Sequence, residues 1–184
     1  VPRLLRARGE IHALDAYVAS SVSSESQMDS FSSQKLRLWR AKCLDSEGDA
    51  EGALKEYLAC GAFLDATRAC CAAGDLAGAE QTVRRAEEEA AAERGSGGSG
   101  MKEKSARFFS GPSREHVFAA SAFHLARAFE ARDSIGEAIA YFSKAGRHGH
   151  ALRLAMRHGM DGEVARLALV AAETSAAETA RFFL

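Results

Sequence analysis

Residues 121–166 read SAFHLARAFEARDSIGEAIAYFSKAGRHGHALRLAMRHGMDGEVAR, and residues 36–81 read LRLWRAKCLDSEGDAEGALKEYLACGAFLDATRACCAAGDLAGAEQ. Set over one another at an offset of 85 residues, the two stretches align. Ala41 falls on Ala126, Leu44 on Phe129, Ala53 on Ala138, Leu54 on Ile139 and Tyr57 on Phe142. Gly61 falls on Gly146, Ala66 on Ala151, Arg68 on Arg153 and Gly74 on Gly159. Self-similarity of this kind marks stacked supersecondary units, none of which buries its apolar face alone.

Apolar residues recur at helical spacing within each copy. In the first, Leu36, Trp39, Cys43 and Leu44 form the stripe of one helix, and Ala53, Leu54, Tyr57 and Leu58 that of the next. Gly61 stands where a left-handed C-terminal cap is expected. Phe63, Ala66, Ala69, Cys70 and Ala73 mark a third helix, and a fourth starts at Leu76 and runs into the charged stretch 84–89, a solvated face. In the second copy, Val117, Phe118, Ala122, Leu125, Ala126 and Phe129 mark the first helix, and Ile135, Ala138, Ile139, Phe142 and Ala145 the second. Two more follow, over about 148–157 and 162–172. The expected organisation is a helix of a preceding repeat over 1–19, a Ser-rich loop over 20–34 and a first hairpin pair over 35–94. A flexible insertion over 95–115 comes next, then a second hairpin pair with the start of a further repeat over 116–184. The insertion carries the linker-like run Gly95 to Gly100 and then Lys102, Lys104, Arg107, Phe108 and Phe109. It reads as an exposed loop, with a partner or an anionic surface as the alternative reading.

Composition agrees with helix. The 184 residues are 47% apolar, and only Pro2 and Pro112 are prolines. Much of the apolar fraction is Ala, which loses no side-chain entropy in a helix. Net charge is −1, from 24 basic and 25 acidic residues, so nucleic acid is not an expected partner. No apolar run approaches the length of a membrane span, and direct membrane insertion is not expected. Cys43, Cys60, Cys70 and Cys71 show no C-x-x-C spacing and lie among core positions, where free Cys behaves as a small hydrophobe. They read as buried reduced thiols of a cytoplasmic protein. The opening at Val1 and the apolar ending 182–184 read as part of a longer chain.

The details of the hairpins match the tetratricopeptide pattern, which places small residues where two helices approach and an aromatic one turn after the second. Leu125-Ala126 takes the Leu-Gly place and Phe129 the aromatic after it; Ala138 and Phe142 form the Ala-x-x-x-Phe element, and Ala145 adds a small residue. The first copy keeps Ala41, Leu44, Ala53 and Tyr57 but departs at Arg40, where Leu is expected. The expected fold is therefore all-α, a tetratricopeptide-like helical-hairpin solenoid. An ordinary Ala-rich helical bundle shares the composition but not the self-match. Chemistry is not legible. The glycines from 95 to 100 lack a following Lys-Ser or Lys-Thr, G-x-S-x-G and H-E-x-x-H are absent, and His148 and His150 are too close in sequence to share a helix face. No enzyme activity, metal or cofactor is expected.

The run HLARAFEARDSIGEAIAYFSKAGRHGHALRLAMRHGMDGEVARLAL resembles the solenoid tails of intraflagellar transport complex A subunits. The resemblance lies in an ordered set of elements: Phe142 to Ala145, Ala151-Leu152-Arg153-Leu154, Gly159-Met160-Asp161, Leu167-Ala168-Leu169 and Ala180-Arg181-Phe182-Phe183. Residues 11–18 and 39–57 are similar too, whereas 20–34 and 84–115 stand outside the likeness. The resemblance implies a non-catalytic scaffold of retrograde ciliary transport and ciliary cargo import. It implies other complex A subunits as partners and a place in the cytoplasm and cilium, at the ciliary base and along the axoneme. A vesicle-coat solenoid, or another scaffold joining a propeller to a solenoid, is the alternative.

Overall fold

A computed structural model describes residue 8 and residues 10–23, 30–96 and 112–182. Every regular element among them is an α-helix. They are α1 (Ile11–Ser23), α2 (Ser30–Glu47), α3 (Ala50–Ala59), α4 (Phe63–Ala73), α5 (Leu76–Ser96), α6 (Arg114–Ala131), α7 (Ile135–Lys144), α8 (His148–Arg157) and α9 (Asp161–Phe182). The fold is all-α and of the tetratricopeptide-like, helical-hairpin solenoid class.

The chain divides into two compact units, Val1–Thr82 and Val83–Leu184, with the division falling inside α5. In the first unit α1 packs on α2, α2 on α3 and α3 on α4; in the second α6 packs on α7, α7 on α8 and α8 on α9. Six left-handed residues stop the helices. They stand at Gly48, Gly61 and Gly74, and again at Asp133, Gly146 and Gly159, 13 residues apart within each set. At each, the next amide donates back to the carbonyl five residues earlier: Asp49 to Leu44 at 3.0 Å, Ala62 to Tyr57 at 2.9 Å and Asp75 to Cys70 at 2.9 Å. The second set repeats this with Ser134 to Phe129 at 3.0 Å, Arg147 to Phe142 at 2.8 Å and Met160 to Ala155 at 3.0 Å. This Schellman closure satisfies carbonyls that a helix end otherwise leaves open. Glycine takes the left-handed backbone without the Cβ penalty, and Asp is among the few other residues that tolerate it. Asp133, with φ of 60°, occupies the place that Gly48 holds in the first copy.

The helix expected over 1–19 starts at Ile11, with residues 1–7 and 9 outside the described residues, and the chain departs from the sequence expectations at three further boundaries. The Ser-rich loop expected over 20–34 is helical at 20–23 and 30–34, and residues 24–29 lie outside the described residues. Ser20 Oγ donates to the Tyr17 carbonyl at 2.9 Å, so a serine here bonds within the helix instead of breaking it. The start of α2 extends over Ser30 to Ser33 because adding residues to an existing helix costs little compared with nucleating one. The insertion expected over 95–115 is helical at 95–96 and from 114 onward. Its glycine-rich run from 97 and its basic and aromatic residues up to 111 lie outside the described residues. The further repeat expected to start after the helix over about 162–172 is instead a continuation of α9 to Phe182. One more step of 13 beyond Gly159 reaches Ala172, and beyond Gly74 reaches Glu87. Both are good helix formers, so α5 and α9 run through without a stop.

Candidate docking surface

The residues singled out from the repeat lie at the centre of each unit. Ala41, Ala53, Tyr57, Ala66 and Ala69 form one buried cluster, with Leu44 half-buried against it. In the second unit Leu125, Ala126, Phe129, Ala138, Phe142 and Ala145 are all buried. Alanines on α2 and α3, and again on α6 and α7, leave room for the two helices of a hairpin to approach. The aromatics fill the space beside them, and burying one such side chain contributes about 1.5–3 kcal/mol. The two copies solve this differently. Tyr57 keeps its hydroxyl on Asp45 Oδ2 at 3.3 Å, whereas Phe142 has no polar end and is wholly enclosed.

Arg40, the departure from the tetratricopeptide pattern, has a structural use. Its Nε lies 2.8 Å from Asp15 on α1 and its guanidinium 3.3 Å from Glu56 on α3. One side chain thus ties α2 to both neighbours, which a leucine cannot do. Two of the four cysteines lie shallower than the sequence implies. Cys43 and Cys70 are buried, but Cys60 and Cys71 are only half-buried, and none is bridged. Desolvation is the main cause that pushes the Cys60 thiol above its ordinary range, and the same holds for Cys70, where the Asp75 carboxylate adds to it.

The histidines of 148–158 do not converge. His148 Nδ1 meets Ser143 Oγ at 3.4 Å, His150 packs on the Phe142 ring at 4.7 Å, and His158 caps the end of α8. Among the described residues no group of His, Cys, Asp and Glu is placed to hold a metal ion. None of the described helices is long and apolar enough to cross a membrane.

Two clefts open on the helical surfaces. In the first unit, Ala50, Leu54, Ala69, Cys70 and Ala73 floor a hollow between α3 and α4, with the Glu51 and Asp75 carboxylates in its lining. In the second unit a groove runs along α6 beside the turn from α7 to α8. His116, Ala119, Ala120, Phe123 and His124 line it from one face of α6, at the i, i+3, i+4, i+7, i+8 spacing that a helix face requires. Ala145 and Arg147 close its other side. Phe123 is held by the core, edge-on to Phe142 at 5.7 Å, and the Arg147 guanidinium sits 6.0 Å from its ring centre. Sequence reading missed this groove because the buried stripe of α6, at 118, 122, 125, 126 and 129, carries the stronger periodic signal. The second stripe of Ala and aromatic residues on the opposite face was the trace available.

Residues 102–184 match the family model for the tetratricopeptide-repeat domain of intraflagellar transport proteins 140 and 172. The match takes in all of α6 to α9, including the groove, and begins within the stretch that the resemblance had left aside. The description names the 140 protein, one of the complex A subunits whose solenoid tails the sequence resembles. The helices before it repeat the matched architecture at the offset of 85 residues, turn for turn. Residues 102–184, from α6 to the end of α9, are therefore similar to the tetratricopeptide-repeat domain of intraflagellar transport proteins 140 and 172.

Proposed function

We propose that the chain is a scaffold segment of intraflagellar transport complex A, of the 140-subunit kind, that acts in retrograde ciliary transport and in import of ciliary cargo. The observation that carries this reading is the family match over 102–184, joined to a duplicated all-α architecture whose buried positions serve packing. Stacked helical hairpins offer extended contact area without a catalytic constellation. In this reading the ten repeat positions, Ala41 to Ala145, hold hairpins together, no side chain turns over a substrate, and the partners are other complex A subunits. The near-neutral charge favours protein partners over nucleic acid, and this reading places those partners at the ciliary base and along the axoneme.

Affinity capture of the full-length protein from ciliated cells tests the proposal. Co-purification with intraflagellar transport subunits, and concentration at the ciliary base and axoneme, is the expected result. Exclusive recovery with coat components on Golgi membranes would overturn it in favour of a vesicle-coat scaffold.

A further inference from the structure

The groove on α6 is built unlike its counterpart in the first copy. At the offset of 85 residues, Arg147 replaces Ala62 and His150 replaces Asp65. In the first copy Asp65 is an acidic site shared by Arg68 at 3.8 Å and Lys42 at 4.0 Å. In the second copy the carboxylate is gone, and Arg153, the counterpart of Arg68, lies 3.2 Å from the His150 ring instead. Among the described residues no carboxylate lines the groove. Glu115 and Glu87, on the flanking segments, are paired with Arg94 at 3.6 Å and Lys144 at 2.9 Å. Arg147 is exposed, and among the described residues it has an aromatic ring as its neighbour and no acidic partner. A guanidinium resting on an aromatic face keeps its donors directed outward for a planar carboxylate. Beside it, Ala119 and Ala120 leave a shallow apolar floor, with His116 and His124 along the rim.

We infer that this groove docks a short acidic segment of a partner protein, with a carboxylate on Arg147 and a neighbouring apolar side chain over Ala119 and Ala120. The charge of the lining selects the occupant. An anionic side chain pairs with Arg147, a basic segment meets repulsion there, and an uncharged apolar segment leaves Arg147 covered without a partner. This deepens the scaffold reading by giving the chemistry of one partner segment, and it rests on that reading only in taking the helical surface as an interface.

The test uses the 184-residue chain and a fluorescein-labelled octapeptide of alternating Glu and Leu, read by fluorescence anisotropy. Matched peptides carry Gln or Lys in place of Glu. Saturable binding of the Glu peptide is expected, with the Gln and Lys peptides weaker by about tenfold or more. Arg147→Glu should weaken the Glu peptide by about tenfold, while Arg157→Glu, the same charge change at the far end of α8, should alter it by less than about twofold. Both positions are exposed, so unchanged helical circular dichroism is expected in both variants. Absence of binding, equal affinity for the Gln peptide, or equal losses from the two variants overturns the inference. Those outcomes leave co-purification of the full-length protein with transport subunits unaffected, so the two readings fail separately.

Discussion

At the scale of single residues, left-handed turns set the lengths of the short helices. Gly61 and Gly146 have φ of 71° and 70°, and a Cβ built on either meets nothing within 4 Å. Substitution there costs backbone strain alone, not a steric clash. Gly61→Ala and Gly146→Ala should each lower the unfolding free energy by about 1–2 kcal/mol, read as a shift in urea midpoint at unchanged slope. Gly136 gives the contrast. It is helical, exposed and also open around its Cβ position, so Gly136→Ala should stabilise by about 0.4–1 kcal/mol through the unfolded chain. Equal effects of opposite backbone classes would show that the positive φ is not what these turns require. The alanines are the other decisive residues. Ala53 and Ala138 are wholly buried on the second helix of each first hairpin, and Ala53→Trp or Ala138→Trp should cost about 1–3 kcal/mol or more by overpacking. Unchanged urea midpoints in both would place these alanines outside the helix contacts.

At the scale of elements, α3 and α5 share a starting device. Asp49 Oδ1 accepts from the Gly52 amide at 3.0 Å, and Asp75 Oδ1 accepts from the Gly78 amide at 2.9 Å. A Cβ on Gly52 would run into the Asp49 carboxylate, and one on Gly78 into that of Asp75. In this rotamer the capping carboxylate fills the space that a side chain on the third residue after it would take, so a side chain there has to turn the carboxylate aside. Asp49→Ala should cost about 0.5–2 kcal/mol. Gly52→Ala should forfeit much of the same cap despite the better helix propensity of Ala. The double variant should then cost clearly less than the two losses added, because the second change has no cap left to disturb. Strict additivity in the cycle would show that glycine and cap act independently. The same spacing recurs in the sequence as Gly-Asp-x-x-Gly-Ala at 48–53 and 74–79, so this pairing was legible once the carboxylate was seen on the amide. The extension of α5 and α9 was legible too, in the lack of a glycine at Glu87 and Ala172.

At the scale of the molecule, stability should fall on the alkaline side through the thiols. Burial raises the Cys60 and Cys70 thiols above their ordinary 9.0, so in the unfolded chain they ionise first. Above that value the unfolded state binds fewer protons than the native state, and the equilibrium moves toward unfolding. The thiol contribution is whole below pH 9 and is lost as pH rises toward the raised native values. Urea titrations at about pH 8 and about pH 10 should show a larger loss for the natural chain than for a Cys60→Ala/Cys70→Ala variant. Equal losses would assign the alkaline dependence to other groups.

The sequence by itself determined the helical class, the duplication and the buried stripes, because helical periodicity and glycine at helix ends are local rules that each segment obeys without reference to the rest. Ala41, Ala53, Ala126 and Ala138 could be named as packing positions for the same reason: small residues at helical spacing have few other uses. The tertiary structure decided what depends on neighbours distant in the chain. It alone placed Arg40 between Asp15 and Glu56, which turns an apparent fault in the repeat into a tie across three helices. It alone drew Arg147 over Phe123, because a groove is made by two elements meeting and neither carries its pattern complete. The Ser-rich boundary belonged to it as well: composition argued for a loop, and hydrogen bonding within the helix, with cheap extension from a packed α2, prevailed.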